Sequence, residues 1–502
     1  MIARRLFPLL LCLLFAAPLS LKAEEKGNEA MFRLPNGMVE GSVENDLLVF
    51  RGVAYAQPPI GALRWQPPQP PAIWREIRQA KAFGPACIQK EAAREPEKSL
   101  KDKPQSEDCL TLNLWVPREP KPQDMPLPVV VWVHGGSFRF GTGALDLYDG
   151  LEFARRGVIF VTLNYRLGIF GTFAQKELLK SNAPTGNFGL LDVMAALKWV
   201  RGNIRAFGGD PGNITLMGES AGGASVGYLM ASPLARGLFQ KAIIQSGALA
   251  LPELSPAEAG EVAERVSKAL NAPDLAALRA LPAAALRDAA TGLDDTQPFI
   301  DGKILPLGMR AAFSAARVNR MPLLIGYNNA EAGFFGPDFW AGISAKIGGA
   351  WPEIKAHCFD YGATSEDGCA EQVASERFAG INTRAIAAAG APKMRVYAYR
   401  FEFVKPSERK DQPGAVHTAE IPFVFGHIAA DKQADPESAR MSAAMIDRWV
   451  AFAKTGLPQL VPGDWPQLSE SGGKLMLFGK AASRMADNPA NALLDRLEQM
   501  PR

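Results

Sequence analysis

"FGGDPGNITLMGESAGGASVGYLM", residues 207–230, sets a serine among glycines where one residue pattern ends and another begins. The apolar run at 214–218 suits a buried strand, and the small and apolar residues after Ser220 suit a helix. To pass from strand to helix within Gly218-Glu219-Ser220-Ala221-Gly222, the chain must bend sharply. Glycines stand where Cβ atoms would clash in such a bend, and the serine is lifted above the sheet. There it meets the positive N-terminal end of the following helix.

The same alternation runs through the chain. Short apolar runs recur at 129–134 (VVVWVH), 158–164 (VIFVTLN), 241–247 (KAIIQSG), 322–328 (PLLIGYN) and 395–403 (RVYAYRFEF). Runs without polar alternation suit strands buried on both faces. Helical patterns lie between them, as in "GLLDVMAALKWVRGNI" and "ESARMSAAMIDRWVAFAKT". The alternation predicts a mostly parallel central sheet flanked by helices. Between residues 255 and 293 the chain turns Ala- and Leu-rich, with Ser255-Pro256 as a helix start. This predicts a helical insertion over one end of the sheet. "PREPKPQDMPLP" reads as a surface loop, and no internal repeat interrupts the plan. One catalytic domain over 24–502 is the expected organisation.

The first 23 residues read as a cleaved secretory signal. Arg4 and Arg5 precede an apolar stretch too short to span a bilayer comfortably, and Ala23 precedes polar residues. An uncleaved anchor is the alternative; a lipoprotein reading through Cys12 fits less well, since Cys12 sits inside the apolar run. The leader carries Arg4, Arg5 and Lys22, so removing it takes 55 basic residues to 52, equal to the 52 acidic ones. Such balance gives no reason to expect nucleic acid or anionic membrane as partner. Cys87, Cys109, Cys358 and Cys369 then remain, an even number that suits disulfides in an exported chain. Chain order favours Cys87–Cys109 and Cys358–Cys369, although four cysteines allow three pairings. Zinc is the rival, without Cys-x-x-Cys or clustered histidines to support it.

A serine hydroxyl is a weak nucleophile until a base takes its proton. The strand-turn-helix around Ser220 is the nucleophile elbow of α/β-hydrolases. Negative charge developing on an attacked carbonyl oxygen needs backbone N–H donors. In "VVVWVHGGSFRFGTG" a strand runs into Gly135-Gly136-Ser137, whose N–H groups can act with that of Ala221. His134, directly before the glycines, reads as an organiser of that loop. The base is a histidine, from His134, His357, His417 and His427. His417 lies in "GAVHTAEIPFVFG", a loop of small residues after a strand pattern, which suits an exposed imidazole. His357 adjoins Cys358 and reads as structural or surface, and His427 has no special context. The order in this fold is serine, acid, histidine. Glu331, soon after the strand "PLLIGYN", fits the acid; Asp294, Asp295, Asp301 and Asp338 are its rivals on pattern alone.

At these residues the chain resembles the type-B carboxylesterase family, which includes cholinesterases and liver carboxylesterases. "FGGDPGNITLMGESAGG" resembles the family's serine signature and "EDCLTLNLWVP" its second signature. "FRGVAYAQPPIGALRW", "NYRLGIFG" and "EIPFVFG" fit too, so the resemblance spans about residues 31–480. It implies the α/β-hydrolase fold with helical insertions over an active-site gorge. It implies Ser220, Glu331 and His417 as catalytic triad, and Gly136, Ser137 and Ala221 as oxyanion donors. It further implies the Cys87–Cys109 bridge, ion pairs Arg64–Glu107 and Arg166–Asp192, and a supporting network of Glu219, Ser246 and Glu420. Two departures stand out. Ser137 replaces the family's usual third glycine, and the cysteine loop lacks the tryptophan with which cholinesterases hold a quaternary ammonium. Phe138, Phe140, Phe334, Phe335 and Trp340 are candidates for an apolar gorge, with core packing as the alternative.

The expected function is therefore an exported serine carboxylic-ester hydrolase acting on a small-molecule ester, with neither metal nor organic cofactor implied. An amidase, carbamate hydrolase or lipase would use the same triad. A non-catalytic binding module of the same fold is the remote alternative, opposed by the intact serine, acid and histidine.

Overall fold

The computed structural model describes residues 30–90, 100, 103–118, 125–251, 253–290, 292, 296–360, 363–480 and 483–500. The leader at 1–23 and the rival acids Asp294 and Asp295 lie outside the described residues.

The central sheet is built from β1 (Ser42–Glu44), β2 (Leu47–Ala54), β3 (Thr111–Pro117), β4 (Leu127–Val133), β5 (Ile159–Leu163), β6 (Gly209–Glu219), β7 (Lys241–Gln245), β8 (Leu323–Asn328), β9 (Val396–Phe401), β10 (Leu475–Phe478) and β11 (Ser483–Ala486). Their spatial order is β11-β10-β9-β8-β7-β6-β4-β5-β3-β2-β1. The run from β5 to β10 is parallel throughout. All six apolar runs read from the sequence lie in it. The flanks are antiparallel, with β3 joining β5 to β2 on one side and β11 closing the other. The signature "EDCLTLNLWVP" is thus largely a strand, β3, that leads into the sheet.

Alternation along each strand divides the core in two. Val129, Val131, Val133, Leu216, Ile244 and Ile325 face one buried cluster. Val130, Trp132, Met217, Ile243 and Leu324 face the other. Helices α1 (Phe188–Asn203) and α2 (Ala221–Ala231) cover the first face, through residues such as Leu197 and Leu229. Helix α3 (Pro256–Ala269) opens the predicted insertion, followed by α4 (Leu275–Ala280) and α5 (Ala283–Ala289). The long helix α6 (Pro436–Thr455) covers the second face with Met445, Trp449 and Phe452. Each fully buried aliphatic or aromatic side chain of this kind contributes roughly 1.5–3 kcal/mol.

Local signals set the helix ends. Ser255 and Glu258 form a reciprocal capping box at α3, with Pro256 in the first turn. Asp435 accepts from the N–H groups of Glu437 and Ser438 at α6, and Gly456 ends that helix at φ 76°.

Two ion pairs, one buried and one partly buried, tie distant segments together. Arg64 grips Glu107 with two bonds of 2.7 and 2.6 Å. Its Nη1 also donates to the carbonyl of Leu281 at 2.8 Å, anchoring the helical insertion. Arg166 grips Asp192 at 2.8 and 2.7 Å. Disulfides join Cys87 to Cys109 and Cys358 to Cys369. Peptide mapping of protein matured in an oxidising compartment should recover these two linkages with no free thiol among the four. A Cys87–Cys358 peptide would refute the pairing.

Candidate active site

The strand register brings the site together. Gly218 on β6 pairs with Val133 on β4, Glu219 pairs with Gln245 on β7, and Gln245 pairs with Gly326 on β8. Ser220, the 134–138 loop, Ser246 and the segment after Asn328 therefore leave the sheet at the same carboxyl-terminal edge, where open α/β sheets place their ligands.

Ser220 sits at φ 55° and ψ −126°, between β6 and α2. A non-glycine residue held there stores strain on the order of 1–3 kcal/mol. Its neighbours permit the bend because they lack side chains. A Cβ on Gly218 would lie 2.5 Å from the carbonyl carbon of Gly222, and one on Gly222 would lie 2.0 Å from the oxygen of Val133.

The imidazole of His417 bridges serine and acid. Its Nε2 is 2.8 Å from Ser220 Oγ and its Nδ1 is 2.5 Å from Glu331 Oε2. An ionised carboxylate only accepts, so Nδ1 carries the proton and Nε2 is left to accept from the hydroxyl. Glu331 is fully buried, and its other oxygen accepts from Asn328 N–H at 2.7 Å. The His417 loop is stapled to the end of β8. Ala330 N–H donates to the Ala415 carbonyl at 3.0 Å, and Asn328 Nδ2 donates to the Val416 carbonyl at 2.8 Å.

Glu219 Oε1 lies 3.2 Å from His417 Nε2. Glu420 stands one layer further out, accepting from Gln245 Nε2 at 3.0 Å and Asn328 Nδ2 at 2.7 Å. Burial, with the charge of Glu331 beside it, holds the Glu420 carboxyl above the ordinary range. Ser246 is fully buried at φ 44°, and its hydroxyl makes no hydrogen bond among the described residues. Burial alone would drive a proton off His417. The carboxylates of Glu219, Glu331 and Glu420 outweigh it and raise the imidazole pKa to about 9.

The loop opposite Ser220 is equally crowded. A Cβ on Gly135 would lie 2.8 Å from Glu219 Oε2 and 3.1 Å from Ser220 Cβ. Gly136 at φ 102° would set a Cβ 2.3 Å from the Phe140 oxygen. Ser137 adopts φ 56°, a left-handed conformation that favours glycine, and is exposed.

His134 does not reach this site as a base. It stacks on Tyr165 at 4.5 Å, its Nδ1 lies 2.8 Å from the Gly135 oxygen, and burial pushes its pKa down to about 4. His357 lies in the helix Trp351–Asp360, and His427 starts a short helix with Nε2 3.4 Å from the Asp149 carbonyl. Asp301 accepts from Asn187 Nδ2 and from the N–H groups of Lys303 and Ile304, and so closes a turn. Asp338 sits in the first turn of the helix Pro337–Ile347.

Aromatic rings surround the imidazole. Phe334, Phe335 and Phe378 each lie 5.7–5.8 Å from it, centroid to centroid. Phe339 packs on Phe335 at 4.8 Å. Neither Phe378 nor Phe339 carries a sequence signal that marks it, because both arrive through helical segments packed on the site. Phe138 packs into the main core, and Trp340 donates to the Ala332 carbonyl at 2.6 Å.

A model described as the carboxylesterase family matches residues 28–349 and 360–496. The chain belongs to the carboxylesterase family. The esterase is 36% identical to fumonisin B1 esterase of Sphingopyxis macrogoltabida over 484 residues, 88% of this chain and 85% of that one. It is 37% identical to para-nitrobenzyl esterase of Bacillus subtilis (strain 168) over 462 residues, 86% of this chain and 91% of that one. A solved PNB esterase structure matches with a TM-score of 0.81 at 33% identity, covering 94% of this chain and 100% of its own. The esterase thus has the α/β-hydrolase fold and is a carboxylic ester hydrolase. Among the described residues no group of three or more His, Cys, Asp or Glu side chains is placed to hold a metal ion, and no helix is long and apolar enough to cross a membrane.

Proposed function

We propose that this esterase works through an acyl-enzyme on Ser220, with His417 as the base and Glu331 as its orienting acid. The hydrogen-bonded line from Ser220 Oγ through His417 to Glu331 carries the reading. Ser220 Oγ attacks the ester carbonyl carbon as its proton passes to His417 Nε2. The oxyanion so formed meets the N–H groups of Gly136, Ser137 and Ala221. The alkoxide departs with the proton from Nε2. Water then attacks the acyl carbon, gives its proton to Nε2, and releases the acid as Ser220 recovers its hydrogen. Glu331 holds the Nδ1 proton and offsets the imidazolium charge. Glu219, Ser246 and Glu420 act as supports of the histidine rather than as nucleophile or base, Glu219 from 3.2 Å beside Nε2.

The substrate is a small-molecule ester, in keeping with relatives that are named esterases. Residues 1–23 serve as a cleaved export signal, a reading that the two disulfides support. The test of the mechanism is labelling by an organophosphonate, which should modify Ser220 and no other serine.

His417 acts as base only when neutral. Its pKa lies above the ordinary 6.5, so kcat/KM should fall with decreasing pH through a midpoint above that value. Glu219→Gln removes a negative charge that favours the imidazolium. The acid limb should then move to lower pH by roughly one unit or more. A pH profile of kcat/KM in which the limb stays put, or moves upward, would contradict this role for Glu219.

A further inference from the structure

Phe378 reaches His417 from an uncommon kind of turn. The helix Glu366–Ser375 runs into a π-helical turn, Glu376–Gly380, and resumes as the helix Ile381–Gly390. π-helical turns are rare, replace the i→i−4 bonds of an α-helix with i→i−5 bonds, and recur at functional sites. Contacts outside the helix must hold such a turn in place, and here they lie behind the site.

Glu376 is fully buried, with its carboxylate against β8 and β9. One oxygen accepts from Arg400 Nη1 at 2.7 Å and the other from the Tyr327 hydroxyl at 2.9 Å. Tyr327 on β8 and Arg400 on β9 are register partners. The phenol oxygen also accepts from Arg400 Nη1 at 2.8 Å and from Asn488 Nδ2 at 3.0 Å, so its hydrogen-bonding capacity is filled. Gly380 leaves room for this carboxylate, because a Cβ there would lie 2.0 Å from Glu376 Oε2. Two residues along the same turn, Phe378 meets the site instead. Its ring lies 5.7 Å from that of His417, 5.0 Å from Phe335 and 5.9 Å from Phe339. Its carbonyl accepts from Ala250 N–H at 2.8 Å. The ring is only partly buried, so it keeps open apolar surface.

We propose that Phe378 limits the size of the ester group that lies against His417, and that Glu376, Arg400 and Tyr327 are positioning residues that set its ring by fixing the π-helical turn. The proposal rests on Ser220 and His417 as the reacting pair. A buried ion pair gains little stability over an apolar pair of equal volume, but its directional bonds hold one geometry. The test is the ratio of kcat/KM within two substrate pairs. One is 4-nitrophenyl octanoate over 4-nitrophenyl acetate, which varies the acyl group. The other is 2-naphthyl acetate over phenyl acetate, which varies the alcohol. A ratio is independent of the amount of active enzyme, so a variant that is merely less stable keeps the parental value. Phe378→Ala should raise at least one ratio by about tenfold, the scale on which an apolar pocket discriminates by size. Glu376→Gln and Tyr327→Phe should each raise the same ratio several-fold. Glu376→Met combined with Arg400→Met should raise it too, while its thermal unfolding midpoint stays near that of the parent. The proposal is overturned if Phe378→Ala raises neither ratio, or if any of the other variants, folded by circular dichroism, raises neither. Failure of the Ser220 reading shows separately, as undiminished turnover by Ser220→Ala and no organophosphonate label on Ser220 of the parent.

Discussion

Ser220→Ala is expected to lower hydrolysis of every ester by roughly 10⁴–10⁶-fold. The variant loses one oxygen, which hydrogen-bonds His417 Nε2 at 2.8 Å. Alanine bears the same Cβ, so the strain of the turn at φ 55° is unchanged. Circular dichroism and the thermal unfolding midpoint should therefore stay close to those of the parent. A small residual rate should survive, because backbone N–H donors and substrate binding still act without the nucleophile. Turnover near the parental level in the alanine variant would remove Ser220 from the mechanism.

Glu331→Gln should reduce kcat by up to ~10⁴-fold, by analogy with the serine-protease acid. The amide is the same size but can present an NH₂ to Nδ1 where the carboxylate only accepts. The ring then takes the other tautomer, and Nε2 carries the proton when it should receive one. The imidazolium formed during attack also loses its nearest compensating charge, 2.5 Å away. KM should change little if acylation is slow relative to substrate dissociation. Glu331→Asp should retain more activity, limited by reach. The same amide change at Asp301 or Asp338 should be far milder, since one closes a turn and the other heads a helix. A deep loss at either of those, with Glu331→Gln active, would reassign the acid and leave Ser220 and His417 in place.

Some of this molecule is legible wherever neighbours in the chain constrain one another. The bend at Ser220 needs glycines at fixed offsets, a buried parallel strand needs an unbroken apolar run, and a helix start needs a cap. Ser220, the six central strands and the Ser255 capping box could therefore be read one segment at a time. His417 was reachable by elimination, because only four histidines exist, whereas Glu331 was favoured over its rival acids by its place after a strand and implied by the family resemblance. Other features carry no such local mark. Glu331 was separable from Asp301 and Asp338 only once the loop after β8 was seen to point at the imidazole. Phe378 and Phe339 join the rings around His417 from segments whose own patterns speak only of helix. Glu376, Arg400 and Asn488 look like scattered polar residues until the fold brings them to one buried cluster. Backbone geometry is specified by residues a few positions apart, but a contact such as Ser220–His417 spans 197 residues. Its geometry is set by strand register and by the packing of a shared core, which no single stretch of the chain contains.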